Sequence, residues 1–319
     1  MKRLVCGLLA ALMLCACGKE PTPPPVEDTP ATPEYLVVEN SVYRAEDALD
    51  EKSVDRAMGK FAALVESYCT EENRVVFAMV PSKSSFLPVG TVPAPDEAAL
   101  FEMVRDKCDF ATFVDLRDAL TLSDYYSTDP HWRQECLTSV MAALSAALEV
   151  DVDVNNWTTE ELTKDYIGVY GDEVDGVPAE ELTVLRHPAM DGYTVRNGET
   201  GEEMPLYDTA KLTARDPYEL FAGGPLSLVT IENPAAENER HLVVVRDSFA
   251  SAALPLLAQS YAKVTAVDIR YMMPAMVGNF VVNIVKIFHP MNIWNYSSSA
   301  SCNNQFVIFY KIGFSFIAN

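Results

Sequence analysis

Residues 74–81, RVVFAMVP, form a near-continuous apolar run closed by a proline, and this run constrains the fold more than any other feature. A strand wetted on one face alternates apolar and polar residues. A run without alternation must be buried on both faces, as in a parallel sheet covered by helices. The flanking sequence supplies the covers. Residues 45–68 and 96–108 carry apolar positions at helical spacing, 111–116 (ATFVDL) reads as another buried strand, and 135–150 reads as a further helix. This alternation is the signature of an α/β fold with a parallel sheet. Residues 151–215 differ. They are acidic, rich in glycine and threonine, and contain short alternating pieces such as YIGVYG and GYTVRNG, so an irregular, β-containing insertion on top of the sheet is expected there. The rhythm then resumes, with strands at 226–232, 241–245 and 263–269 and a helix at 249–261.

The chain ends stand apart from this pattern. MKRLVCGLLAALMLCACGKE opens with Lys2 and Arg3, and its apolar stretch, 4–16, is too short to span a bilayer but right for a signal segment. Its LCAC–Gly ending resembles the bacterial lipoprotein signal. That resemblance implies cleavage of residues 1–16 and acylation of Cys17, so that the mature chain is tethered to a membrane outside the cytoplasm. Residues 17–35 are proline-rich and expected to form an extended spacer. The folded domain is then expected over 36–273. From 269 onward there is no aspartate or glutamate, although the whole chain has 46. Residues 274–319 therefore read as an atypical tail, either a C-terminal segment of its own character or sequence that is not native.

Composition narrows the partners. At 49% hydrophobic residues the chain can bury a sizeable core, and a net charge of −22 excludes nucleic acid, whose phosphates would be repelled. Outside the cytoplasm a disulfide is permitted. Cys69 and Cys108 each close a predicted helix just before a predicted strand, so neighbouring strands would let them pair.

Two stretches carry chemistry. In YYSTDPHW (125–132), Asp129 and His131 are separated by Pro130, which fixes φ between them. By itself this is equally a turn whose histidine caps the next helix. In LVVVRDSFASAALPLL (242–257), Ser248 falls on the turn between a buried strand and a helix, at the C-terminal edge of the sheet where α/β folds present ligand sites. Asp247 or Ser248 is equally suited to cap that helix. Together the stretches contain a nucleophile, a base and an orienting carboxylate. Trp132 and Tyr126 are candidates to pack the imidazole and exclude water.

These blocks, with MVPSKSSFLP and DPYELFAGGPLSLVTIENP, resemble the DHHW protein family and, through it, the SGNH-hydrolase-like domains of alginate O-acetylation proteins. The resemblance covers about 36–273. It implies a three-layer α/β sheet of the SGNH-hydrolase type and a Ser-His-Asp triad handling acyl esters, typically acetyl groups on sugars. Ser248 matches the nucleophile, His131 the base and Asp129 the orienting acid. Gly223 and Gly224 fall in the glycine-rich block, and their N–H groups are expected to hold the oxyanion together with that of Ser248. Two positions depart from the family pattern: Pro130 replaces the first histidine of D-H-H-W, and Pro225 replaces a common asparagine. The expected activity is that of a membrane-tethered acyl esterase or O-acetyltransferase acting on a cell-envelope glycan, without a cofactor. The alternative is a catalytically silent glycan-binding or scaffolding lipoprotein.

Lys83 follows a strand end within reach of the site but is expected to be a solvated loop lysine, and Asp268 with Arg270 is expected to be a structural ion pair in preference to a substrate-binding one. His187, His241 and His289 have no partner in sequence. No metal site is expected, since Asp129 and His131 lack further ligands at useful spacing.

Overall fold

The computed structural model describes residues 34–268, 270–271 and 305–310. The expected signal segment, Cys17, nearly all of the spacer and His289 lie outside the described residues. Along the chain run β1 (Tyr35–Val38), β2 (Ser41–Arg44), α1 (Glu51–Tyr68), β3 (Arg74–Met79), α2 (Glu97–Lys107), β4 (Thr112–Asp115) and α3 (Thr138–Leu148). They are followed by β5 (Thr158–Tyr166), β6 (Glu180–Arg186), β7 (Thr194–Asn197), β8 (Glu203–Met204), β9 (Leu228–Glu232), β10 (His241–Arg246), α4 (Ala250–Leu257), β11 (Lys263–Asp268) and β12 (Gln305–Tyr310).

Among the described residues eight strands form one sheet in the order β4-β3-β12-β10-β11-β9-β7-β8. From β4 to β11 every pairing is parallel. The remaining pairings, β11–β9, β9–β7 and β7–β8, are antiparallel. The sheet is thus mostly parallel, with an antiparallel edge that the sequence pattern did not reveal.

The apolar run RVVFAM is β3, and it is divided between two cores. Val76 and Ala78 pack with α3 and α4 residues such as Leu144 and Leu254. Phe77 and Met79 pack with Val54, Met58 and Phe61 of α1 and Phe101 of α2. Successive residues of a strand point to opposite faces, so burial on both faces removes the need for polar alternation.

Part of the insertion is not on top of the sheet. β5 and β6 form a separate two-stranded sheet, whereas β7 and β8 extend the main one. The larger surprise is β12. It comes from beyond residue 273, where the sequence suggested no element, and lies between β3 and β10. Val307 and Phe309 join one core and Ile308 the other. A strand at that depth has no room for carboxylates, whose desolvation would be costly. That accounts locally for the missing acidic residues.

Cys69 and Cys108 do not pair; both carry free thiols. The strands that follow them, β3 and β4, are neighbours, so the condition for pairing is met. However, Cys108 packs with α1 and α2 and its thiol points to Ala111 O, while Cys69 packs beside Tyr68 and Val75. Burial pushes the Cys69 thiol up to about 12 and the Cys108 thiol up to about 11.

Candidate active site

Ser248 sits where β10 gives way to α4. Asp247 makes the local turn ahead of α4, its Oδ1 accepting from the Phe249 N–H at 2.9 Å, and no side chain caps the helix at Phe249. Ser248, half-buried, is thereby left for another partner. That partner is His131, whose Nε2 lies 2.7 Å from Ser248 Oγ across 117 residues of sequence.

The motif loop is closed on itself. Tyr125 and Trp132 form an antiparallel bridge, and the Tyr126 N–H donates to His131 O at 3.1 Å. Asp129 is fully buried beneath the loop. Its Oδ1 meets the His131 ring Nδ1 at 2.6 Å and accepts the His131 N–H at 2.9 Å. Its Oδ2 accepts from the Tyr166 hydroxyl at 3.0 Å and the Val169 N–H at 3.2 Å. Burial pushes the carboxyl pKa up, but the electrostatic pull of the neighbouring His131 ring and these hydrogen bonds outweigh it and hold the carboxyl below its ordinary value. The Val169 contact depends on Gly168, because a Cβ there would stand 2.4 Å from Asp129 Cβ.

Lys83 departs from its expected role as a solvated loop lysine. It is only 4% exposed, and its ammonium donates to the main-chain carbonyls of Tyr126 (2.8 Å), Ser127 (2.9 Å) and Asp129 (3.3 Å). A short helical turn at Lys83–Phe86, just after β3, aims it there. One buried cation therefore ties down the backbone on which Asp129 and His131 are mounted.

The imidazole is packed by residues that the sequence reading did not single out. Tyr218 stacks on it at 4.1 Å and 6° between planes, and Phe249 leans on it at 4.7 Å. Trp132 and Tyr126, the expected packers, are fully buried and stand one layer behind. The Trp132 indole N–H donates to Phe249 O at 2.9 Å, and Tyr126 packs on Tyr166 at 4.6 Å. Neither can touch a substrate; they support the residues that hold the ring.

The glycine block forms a tight turn. The Gly224 N–H donates to Phe221 O at 2.8 Å, and Ala222, Gly223 and Gly224 have φ of +33°, +86° and +53°. Gly224 is thus unavailable as an oxyanion donor, which corrects half of the expectation for this pair. Among the described residues none accepts from the N–H of Gly223 or of Ser248. Glycine is required at 223, where a Cβ would stand 2.6 Å from Val229 Cγ2.

Elsewhere, Arg270 grips Asp268 with two hydrogen bonds of 2.9 and 2.6 Å, a structural pair. His241 is buried against Thr265 Oγ1 at 2.9 Å, and burial, with the Lys263 charge, lowers its pKa to about 4. His187 meets Asp153 at 3.4 Å near the surface. Among the described residues no three His, Cys, Asp or Glu side chains converge to hold a metal ion.

No family model matches the chain, and no curated protein does. Solved structures do. A DHHW family protein from Eubacterium siraeum matches with a TM-score of 0.66 at 17% identity, over 89% of this chain and 92% of that one. PatB1 of Bacillus cereus matches with a TM-score of 0.62 at 17% identity, over 88% of this chain and 99% of that one. The O-acetyltransferase domain of Pseudomonas putida AlgJ is a looser match, with a TM-score of 0.47 at 12% identity over 87% and 91%. The chain has the fold of the DHHW family protein and of PatB1.

Proposed function

We propose that the chain is a serine acyl-ester enzyme of the SGNH-hydrolase type, built as a three-layer α/β fold, that moves or hydrolyses an acetyl or similar acyl group on a cell-envelope glycan. The observation that carries this reading is the unbroken line from Asp129 Oδ1 through the His131 ring to Ser248 Oγ, with spacings of 2.6 and 2.7 Å. A serine hydroxyl becomes nucleophilic when a base takes its proton, and the base works when a carboxylate fixes its tautomer and stabilises its cation.

In this reading Ser248 Oγ bonds to the ester carbonyl carbon while its proton passes to His131 Nε2. The carbonyl electron pair moves onto oxygen and is held by the N–H groups of Ser248 and Gly223. Collapse breaks the bond to the leaving alcohol, which takes the proton from His131. Water or a sugar hydroxyl then attacks the acyl-serine, giving its proton to His131, and Ser248 recovers that proton as the acyl group leaves. The two outcomes, hydrolysis and transfer, differ only in the acceptor. A net charge of −22 suits a neutral glycan better than an acidic one. Acylation of Cys17 and extracytoplasmic tethering complete the proposal.

The test is turnover of p-nitrophenyl acetate by wild-type protein and Ser248→Ala. A loss on the order of 10,000-fold is expected. Equal rates would remove Ser248 from the chemistry.

A further inference from the structure

Resting on the acyl-transfer reading above, the geometry points to Arg246 as a positioning residue that clamps the Gly223 turn onto the Ser248 turn and so sets the two oxyanion donors at one place. Arg246 ends β10, two residues before Ser248, and is 1% exposed. Its guanidinium reaches both sides of the site. One nitrogen donates to Gly224 O at 2.9 Å and Leu226 O at 3.1 Å, on the segment that carries the Gly223 N–H. The other donates to Ser251 Oγ at 2.7 Å and Asp247 O at 3.4 Å, on the segment that carries the Ser248 N–H. A planar guanidinium fixes such acceptors in a rigid fork, which a flexible ammonium cannot do.

The turn needs a clamp. Three successive residues lie in the left-handed region, and one of them, Ala222 at φ +33°, is not glycine and is fully buried. An alanine held there is strained, and such strain persists only where the surroundings over-determine the backbone. Pro225, which follows, brings neither an N–H nor a polar side chain to the site. The oxyanion donors are therefore main-chain groups, and their separation depends on whatever joins the two segments.

Arg246 is poorly explained as a stability device. Its nearest carboxylate, Asp268, stands 4.0 Å away and gives both its oxygens to Arg270. Burial depresses the proton affinity of Arg246, outweighing the Asp268 charge. A buried cation with so loose a counter-ion is costly to keep, and its good contacts are with the carbonyls and hydroxyl of the two segments. Removing it leaves Asp268 paired with Arg270, so the variants below keep that carboxylate satisfied.

The experiment measures kcat and KM for p-nitrophenyl acetate in full-chain Arg246→Met and Arg246→Lys, each alone and combined with Ala222→Gly. Loss of a positioned oxyanion donor should lower kcat on the order of 100-fold, with KM held within about threefold. Ala222→Gly removes the left-handed strain, so in either background it should recover part of the lost kcat, which a purely structural defect elsewhere would not show. Arg246→Lys keeps the charge, so the test stands even if Arg246→Met unfolds. Wild-type kcat in Arg246→Lys and Arg246→Met overturns the assignment, as does a loss that Ala222→Gly leaves untouched. Activity in Ser248→Ala, by contrast, would overturn the acyl-transfer reading itself.

Discussion

The two halves of the candidate site are held by opposite means. The Asp129–His131 half is sealed. Asp129 has no exposure, its two oxygens take four contacts from His131, Tyr166 and Val169, and Lys83 pins the loop from beneath. The Ser248 half is half-open, and its polar groups are largely main chain, joined to the glycine turn through Arg246. Under the proposed function the difference follows from two tasks. A base needs one tautomer and one orientation, which saturated hydrogen bonds in a low-dielectric interior supply. A nucleophile and its oxyanion donors must face a substrate, so side chains cannot wall them in.

If the sealed half depends on its clamps, loosening them should hurt in graded order. Lys83→Met removes the donor to three carbonyls and lets the loop drift; a misplacement near 1 Å costs on the order of 100-fold in kcat. Steady-state kinetics with a thermal melt would separate this from unfolding, and an unchanged kcat in a folded variant would show that the loop needs no clamp. Tyr166→Phe should be milder, about tenfold in kcat, since one hydrogen bond to a charged group is lost while Val169 remains. It should also flatten the loss of stability in acid. Asp129 is held below the ordinary carboxyl value of 3.8, so its contribution is fully present above that value and is lost as pH falls below it. Denaturant midpoints across this range should fall less steeply in Tyr166→Phe than in wild type.

What the sequence made legible matches how local each feature is. The strand and helix pattern of the parallel half was readable because burial on both faces writes itself as an apolar run. Asp129 and His131 were readable because they lie two residues apart, and Ser248 because a strand–turn–helix boundary marks it. Tyr166 was hidden, and Lys83 was placed in solvent, because they meet the motif across 37 and 46 residues, respectively, and nothing in KSS or DYIG names its partner. The alternating YIGVYG did carry one usable signal, a glycine between apolar residues, which marks close backbone approach. Trp132 and Tyr126 were drawn toward the imidazole by residue type, whereas burial decides contact, and the rings that touch it are Tyr218 and Phe249. β12 escaped notice although QFVIFY is itself an apolar run, because the absence of acidic residues after 269 set that whole segment aside as an atypical tail.

The central claim is that His131 activates Ser248. The direct measurement is covalent capture: the full chain treated with phenylmethanesulfonyl fluoride, the adduct mapped by mass spectrometry, and its rate compared between wild type and His131→Ala. A single sulfonyl group on Ser248 is expected, forming at least about 100-fold more slowly without the base. Labelling at the same rate in both proteins, or at another residue, would contradict it.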